Sequence, residues 1–287
     1  MKIINLAVVA CMASLIACNS GKGTKDSDTR PDGQNEDAAP AYVVEKVSFK
    51  DSVVIGNSKA VAECSLGYLK SDDKDNPLVD SVDKWIRSML KDSDSSVAMG
   101  EPLAKYVVKD VLGDNESDLR EWNDTFGRDS VDGYPPMSYE FSYEVMPLVT
   151  APRYVTMLYN SYIFTGGAHG GAASIGQTFA ASDGNMLGMD MFRPGTTDKV
   201  LELVKKGLME QYFEVKTEKE FNDMLLVNNG TLSFPANPPY FEEKGVCFLY
   251  QQYEIAPYAA GMPQCLIPFE TLRPYFTEAT LDLLDMD

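Results

Sequence analysis

Eight residues constrain this chain more than any others: Phe164-Thr165-Gly166-Gly167-Ala168-His169-Gly170-Gly171. Four glycines leave little side chain to pack, and they sit between two runs with strand character. An alternating aromatic and aliphatic run from Tyr154 to Phe164 leads in, and a second from Ala173 to Ala181 leads out. Adjacent glycines reach positive φ at no steric cost, so the segment reads as a bulge or tight crossing between strands. It also carries the chain's one histidine, His169. Functionally, the glycines let a ligand approach the backbone, and His169 offers a hydrogen bond or a proton. Structurally, they supply the corner while the imidazole packs locally. The structural reading is preferred, because no partner for His169 is fixed by spacing.

The N-terminus sets the compartment. Met1-Lys2, an apolar stretch from Ile3 to Leu15 and Leu15-Ile16-Ala17-Cys18 have the pattern of a bacterial lipoprotein signal. The apolar run falls short of the roughly 20 residues a spanning helix needs. Residues 1–17 are expected to be removed and Cys18 to become the acylated first residue, anchoring the protein by its buried CH₂ groups. Residues 18–41, dominated by Gly, Ser, Lys, Thr, Asp, Pro and Asn, are expected to form a disordered tether. Asn19 is unlike an inner-membrane retention signal, and Lys22 is not followed by an acidic pair. The expected location is the cell envelope, with an outer-membrane anchor facing the periplasm.

The remaining length suits one large domain or two small ones. With 43 acidic against 25 basic residues the chain carries −18, and −19 once Lys2 leaves with the signal. Nucleic acid is therefore disfavoured as a partner, since phosphate neutralisation requires basic patches. A cationic partner would be steered towards this surface, although solubility alone also accounts for the charge. Of five cysteines, Cys64, Cys247 and Cys265 lie in the folded part. Cys247 and Cys265 fall on two strand-like runs flanking a loop, so a cross-strand disulfide is conceivable beside the alternative of free buried thiols.

Hydrophobic periodicity assigns the elements. Strands are expected at Tyr42–Phe49, Ser52–Ile55 and Ala60–Leu69. Val82, Trp85, Ile86, Met89 and Leu90 mark a helix beginning near Pro77 or Asp80; Leu103, Tyr106, Val107 and Val111 mark a second, and Leu119, Trp122 and Phe126 a less regular third. Period two from Tyr139 to Val145 predicts a strand with one wet face. Tyr154–Phe164, apolar on both faces, reads as a central strand. Helices follow from Thr196 or Thr197, either able to cap, and from Thr217, where Thr217-Glu218-Lys219-Glu220 has capping-box spacing. Strands at Gly245–Tyr253 and Gln264–Ile267 flank a loop, and a last helix starts near Pro268. Elements come in clusters rather than regular β-α-β alternation. This predicts an α+β fold of antiparallel sheets packed against helices, in an N-terminal module over 42–150 and a C-terminal domain over 151–287.

Most catalytic signatures are missing. One histidine rules out a histidine-rich zinc site within one chain, and no metal or cofactor motif stands out. There is no Gly-x-Ser-x-Gly elbow, and Gly21-Lys22-Gly23-Thr24 is no phosphate loop. A thiol paired with His169 requires the fold to bring them together.

The segment Tyr162-x-Phe164-Thr165-Gly166-Gly167-Ala168-His169-Gly170, with Phe179, Asp183-Gly184, Leu187 and Asp190-Met191-Phe192, resembles the extracellular domain of RsiV-type anti-sigma factors, which also accompanies PdaC-type peptidoglycan deacetylases. Tyr253-Glu254-Ile255-Ala256-Pro257-Tyr258-Ala259-Ala260-Gly261, followed by Ile267-Pro268-Phe269, is similar to that domain's closing signature. The likeness spans roughly 154–276, and 42–150 looks like the companion module. It implies an α+β envelope domain without assigned chemistry that binds lysozyme in the RsiV-type members. The expected function is a lipid-anchored binding module for a lysozyme or other cationic protein, or for peptidoglycan. Gly166, Gly167, His169, Tyr253, Tyr258 and Gly261 are its candidate binding residues. The alternatives are a wall-modifying enzyme using His169 as acid/base, and a structural envelope lipoprotein with no small ligand.

Overall fold

The computed structural model describes residues 42–90, 96–126, 136–226 and 231–286. The expected signal, Cys18 and the whole of the tether lie outside these residues. Among the described residues, nine strands and six α-helices follow in the order β1 (Val43–Ile55), β2 (Ser58–Lys70), α1 (Pro77–Met89), α2 (Glu101–Phe126), β3 (Ser138–Thr150), β4 (Tyr154–Phe164), β5 (Gly171–Ala180), β6 (Met186–Leu187), α3 (Thr197–Gly207), α4 (Glu218–Met224), β7 (Tyr240–Phe241), β8 (Gly245–Leu249), β9 (Gln264–Pro268), α5 (Phe269–Leu272) and α6 (Glu278–Leu284). The fold is α+β, as the clustered pattern predicts. Among the described residues no helix is long and apolar enough to cross a membrane.

Strands β1 to β6 form one sheet in sequence order, and β7, β8 and β9 form a second. Within the first sheet the pairs are antiparallel except β2 with β3, which run parallel. The sequence pattern anticipates antiparallel sheets throughout; the exception arises because two helices carry the chain back before β3 begins, the kind of long crossover a parallel pair requires. The sheet continues across residue 150, which lies at the β3–β4 turn, and the described residues belong to one compact unit.

Period two divides the sheet into unlike faces. Ala60, Ala62, Cys64 and Leu66 of β2, Tyr139, Phe141 and Val145 of β3, and Phe179 of β5 are buried under α1 and α2. Helix α1 starts cleanly because Asn76 accepts a hydrogen bond from the Val79 amide at 3.1 Å and Pro77 occupies the first turn. It buries Leu78, Val82, Trp85 and Ile86 along one stripe, and Trp85 meets Phe179 edge to face at 6.1 Å. The other face is wet on β1 to β3. It is covered only towards β5, where Phe241 N donates to Thr178 Oγ1 at 2.8 Å and a side chain at Gly176 would run into the Tyr240 ring.

Several expectations need correction. The strand pieces 42–49 and 52–55 are one strand, because Lys50 pairs with Glu63 across the ladder and Asp51 with Lys109 of α2, so the polar break is satisfied in place. The second and third helical patterns are one 26-residue helix, α2, whose buried stripe continues through Leu112 to Leu119 past Gly113. Thr196 precedes α3 without capping it; its hydroxyl donates to Arg193 O instead. The capping box at Thr217 forms as expected. The strand expected to reach Tyr253 ends at Leu249; the last helix expected from Pro268 is the short α5 followed by a 3-10 turn at Arg273–Tyr275, and α6 is a further helix the pattern did not anticipate.

The Cys247–Cys265 bridge does not form, and all three thiols of the folded part are free. Cys247 stands opposite Leu266, and Cys265 opposite Phe248. The two cysteines are one register step out of line, so they point to opposite faces of the small sheet: Cys247 towards Tyr240, Cys265 into the core around Val204 and Phe248.

Candidate functional site

The corner between β4 and β5 is built as its glycines predict. Gly166 and Gly167 take φ of 93° and 92°, a region closed to most side chains. The chain then enters β5 at Gly171, two residues before the expected start. Gly170 is buried, and a Cβ there would lie 2.6 Å from ring atoms of Tyr162, so the absent side chain lets that ring lie against the backbone.

The tyrosine loop meets this corner from 88 positions away in sequence. Tyr258 Oη donates to the Gly170 carbonyl at 2.9 Å, and His169 Nδ1 lies 3.1 Å from the same oxygen. One carbonyl thus holds both side chains, and their rings stack with centroids 3.7 Å apart and planes 19° from parallel. When Nδ1 donates to Gly170 O, Nε2 is left as the acceptor. His169 is exposed, Tyr258 half-buried. Tyr253, 57% exposed, tilts against Tyr258 at 5.7 Å and takes a left-handed φ of 64°, which turns its ring outward rather than continuing β8. Gly261 closes the loop at φ 78°, where a side chain would press on the Tyr212 hydroxyl at 3.0 Å; that hydroxyl donates to Ala260 O.

What latches the loop is a pair of glutamines that sequence reasoning missed. Beyond its short pairing with β6, the edge of β5 is open. Gln251 fills part of that edge like a strand: its Oε1 accepts from Ser174 N at 3.1 Å and its Nε2 donates to Ser174 O at 2.7 Å. Gln252 Oε1 accepts from Ala172 N at 2.9 Å. Glu254, inside the tyrosine motif, is also structural, its carboxylate accepting from the amides of Gln251 and Ala236 at 2.7 Å each. The only available signal was the Gln251-Gln252 doublet at the end of a strand-like run.

The structure therefore gathers Gly166, Gly167, His169, Tyr253 and Tyr258 at one corner, adds Tyr162 and Gly170, and leaves Gly261 as the turn behind the loop. It does not bring a thiol to His169. Cys64, Cys247 and Cys265 are buried in hydrophobic cores, and burial pushes the Cys64 and Cys265 thiols up to about 12, away from the thiolate a nucleophile needs. Among the described residues, no group of three or more His, Cys, Asp or Glu is assembled as a metal-ligand set, and the His169 ring bonds to a backbone carbonyl. The corner offers aromatic surface and one imidazole nitrogen, a chemistry of contact.

Comparison with known proteins agrees on the fold. Residues 189–270 match the family model DUF3298, described as a protein of unknown function; the match includes the tyrosine loop and begins after the glycine corner. A search of curated proteins returns no match. Among solved structures, a DUF3298 family member from Bacteroides fragilis NCTC 9343 has a TM-score of 0.70 at 18% identity, over 87% of this chain and 99% of that one. A DUF3298 family protein from Pseudomonas aeruginosa PAO1 has a TM-score of 0.53 at 17% identity, over 83% and 96%.

Proposed function

We propose that this chain is a binding module of the cell envelope, an RsiV/PdaC-type domain held at a membrane by acylated Cys18 and facing the periplasm. On this reading the aromatic corner is its contact surface for wall-associated ligands, with a basic lysozyme-type protein as partner. The observation that carries it is the convergence at Gly170 O: two motifs far apart in sequence meet there and present the rings of His169, Tyr258 and Tyr253 at the surface. The net charge of −18 supports a cationic partner.

Titration calorimetry with a basic lysozyme tests the partner. Saturable heat that weakens as salt rises, and is lost in Tyr253→Ala, is the expected result; no heat at low salt removes lysozyme from the reading. Palmitate labelling tests the anchor: label that survives Cys18→Ser, or an acylated protein found in the cytosol, would overturn it.

A further inference from the structure

We infer that the wet face of the six-stranded sheet is the floor of the same site and that the pair takes an uncharged, hydroxyl-rich glycan chain lying across the strands. The inference rests on the binding-module reading and names its ligand class.

The registers align a polar row from one side of the sheet to the other. Ser48 stands opposite Ser65, Ser65 opposite Glu144, Glu144 opposite Asn160, and Asn160 opposite Ser174. On the β5 side the row is knit together. Asn160 Nδ2 donates to Glu144 Oε2 at 3.5 Å, and Ser174 Oγ donates to Asn160 Oδ1 at 2.8 Å. Ser174 is in turn the residue that Gln251 clamps. Ser174 itself is buried, so the open floor runs from Ser48 to Asn160 and stops at the tyrosine loop, where the aromatic corner forms a wall. Tyr162, 37% exposed, projects from the floor beside this wall, since it lies opposite Ser142 on the same face and against Gly170.

Charge selects the occupant. The chain carries −18, yet the outward positions of β1, β2 and β3 hold three lysines, Lys46, Lys50 and Lys59, and three glutamates, Glu63, Glu140 and Glu144. Lys50 and Glu63 neutralise each other directly at 2.8 Å. The acidic surplus that would steer a cationic protein lies outside this face, whose own charge is balanced. Balanced charge, hydroxyl and amide groups in a row, and flanking aromatic rings suit a ligand that is neutral, hydrogen-bonding along its length, and apolar on its ring faces. A pyranose chain has these properties: hydroxyls at the ring edge meet Ser and Asn, and axial C–H groups lie on tyrosine rings. Strands about 4.8 Å apart present one polar side chain per strand, a repeat close to that of an extended β-linked sugar chain.

The test uses the full chain carrying Cys18→Ser, titrated with chitohexaose and chitotriose at low and high salt, with a basic lysozyme in parallel. Expected are saturable binding of both sugars, tighter for the hexamer, and little salt dependence. Tyr253→Ala at the wall should weaken both by about tenfold, the loss of one aromatic anchor. Ser65→Arg, a bulky residue midway across the floor, should reduce the hexamer to the affinity of the trimer and leave the trimer unchanged. Near-UV circular dichroism identifies a variant that has lost its fold, in which case Ser48→Arg replaces Ser65→Arg. Lysozyme binding without sugar binding overturns the glycan inference and leaves the module reading standing. Sugar binding that ignores both substitutions overturns the placement. Binding of neither ligand brings down both.

Discussion

The six-stranded sheet shows one set of strands used in two ways. On the face under α1 and α2, side chains at every second position are buried and apolar, and Trp85 closes on Phe179. On the opposite face of β1 to β3 the intervening positions include Ser48, Lys50, Glu63, Ser65 and Glu144, which meet water or one another. Because side chains alternate, a residue changes role when it moves one step along the strand. The difference teaches that the dry face carries stability and the wet face is available for recognition, so substitutions on the two should separate folding from binding.

The largest effect is expected on the dry face. Phe179→Ala removes a fully buried ring from against Trp85 and should cost about 3–5 kcal/mol, read from urea unfolding; a loss no larger than that of a surface substitution would break the comparison. A second effect on that face is read in pH. Cys64 is buried, and its thiol is raised from an ordinary 9.0 to about 12, as is that of Cys265 in the other core. The folded state keeps protons that the unfolded chain releases. The stability these groups contribute is therefore complete below about pH 9 and is lost as pH rises towards 12. Unfolding midpoints measured upward from pH 8 should fall accordingly, and Cys64→Ala should flatten the decline. Peptide mapping after alkylation in native buffer should find Cys64, Cys247 and Cys265 unmodified.

A smaller loss is expected where the wet face becomes dry. Thr178, fully buried beneath the small sheet, exchanges a hydrogen bond with Thr156 at 2.9 Å and accepts one from Phe241 N. Thr178→Val strands these partners and should cost about 1–3 kcal/mol, which would show in thermal unfolding. The smallest effect belongs to the open part of that face: Lys50→Met breaks the exposed pair with Glu63 and should leave the unfolding midpoint unchanged, as surface ion pairs contribute little. A clear loss there would mean the wet face stabilises the fold after all.

Much of this division was legible in the residues. Alternation from Tyr139 to Val145 predicted one wet face, and β4, apolar on both sides, lies between β3 and β5 as a central strand should. Local patterns worked where the cause was local, as at the helix start at Pro77 and the capping box at Thr217. They failed where the cause was distant. The parallel β2–β3 pair depends on where two helices return the chain. The continuity of β1 depends on Lys109, 58 positions on from Asp51. Of the site, the glycine corner and tyrosine loop were visible as motifs, but their meeting at Gly170 O was not, because no spacing rule joins residues 88 apart. The floor was invisible for the same reason: a row of serine, glutamate and asparagine exists only once register aligns five strands.

The glutamine latch on β5 has a counterpart. Gln211, beside the end of α3, accepts from Leu266 N at 3.0 Å and donates to Leu266 O at 3.1 Å, gripping β9 as Gln251 grips β5. In both places a side-chain amide imitates a peptide group, so the sheet is finished by a single residue where another strand would otherwise be needed. Such a finish is chemically fragile in a way a strand is not. Hydrolysis of the amide at residue 251 would exchange the donating nitrogen for a negatively charged oxygen at nearly the same position. The grip on the Ser174 carbonyl would become repulsion, and the tyrosine loop would be loosened from the corner by a change of one atom.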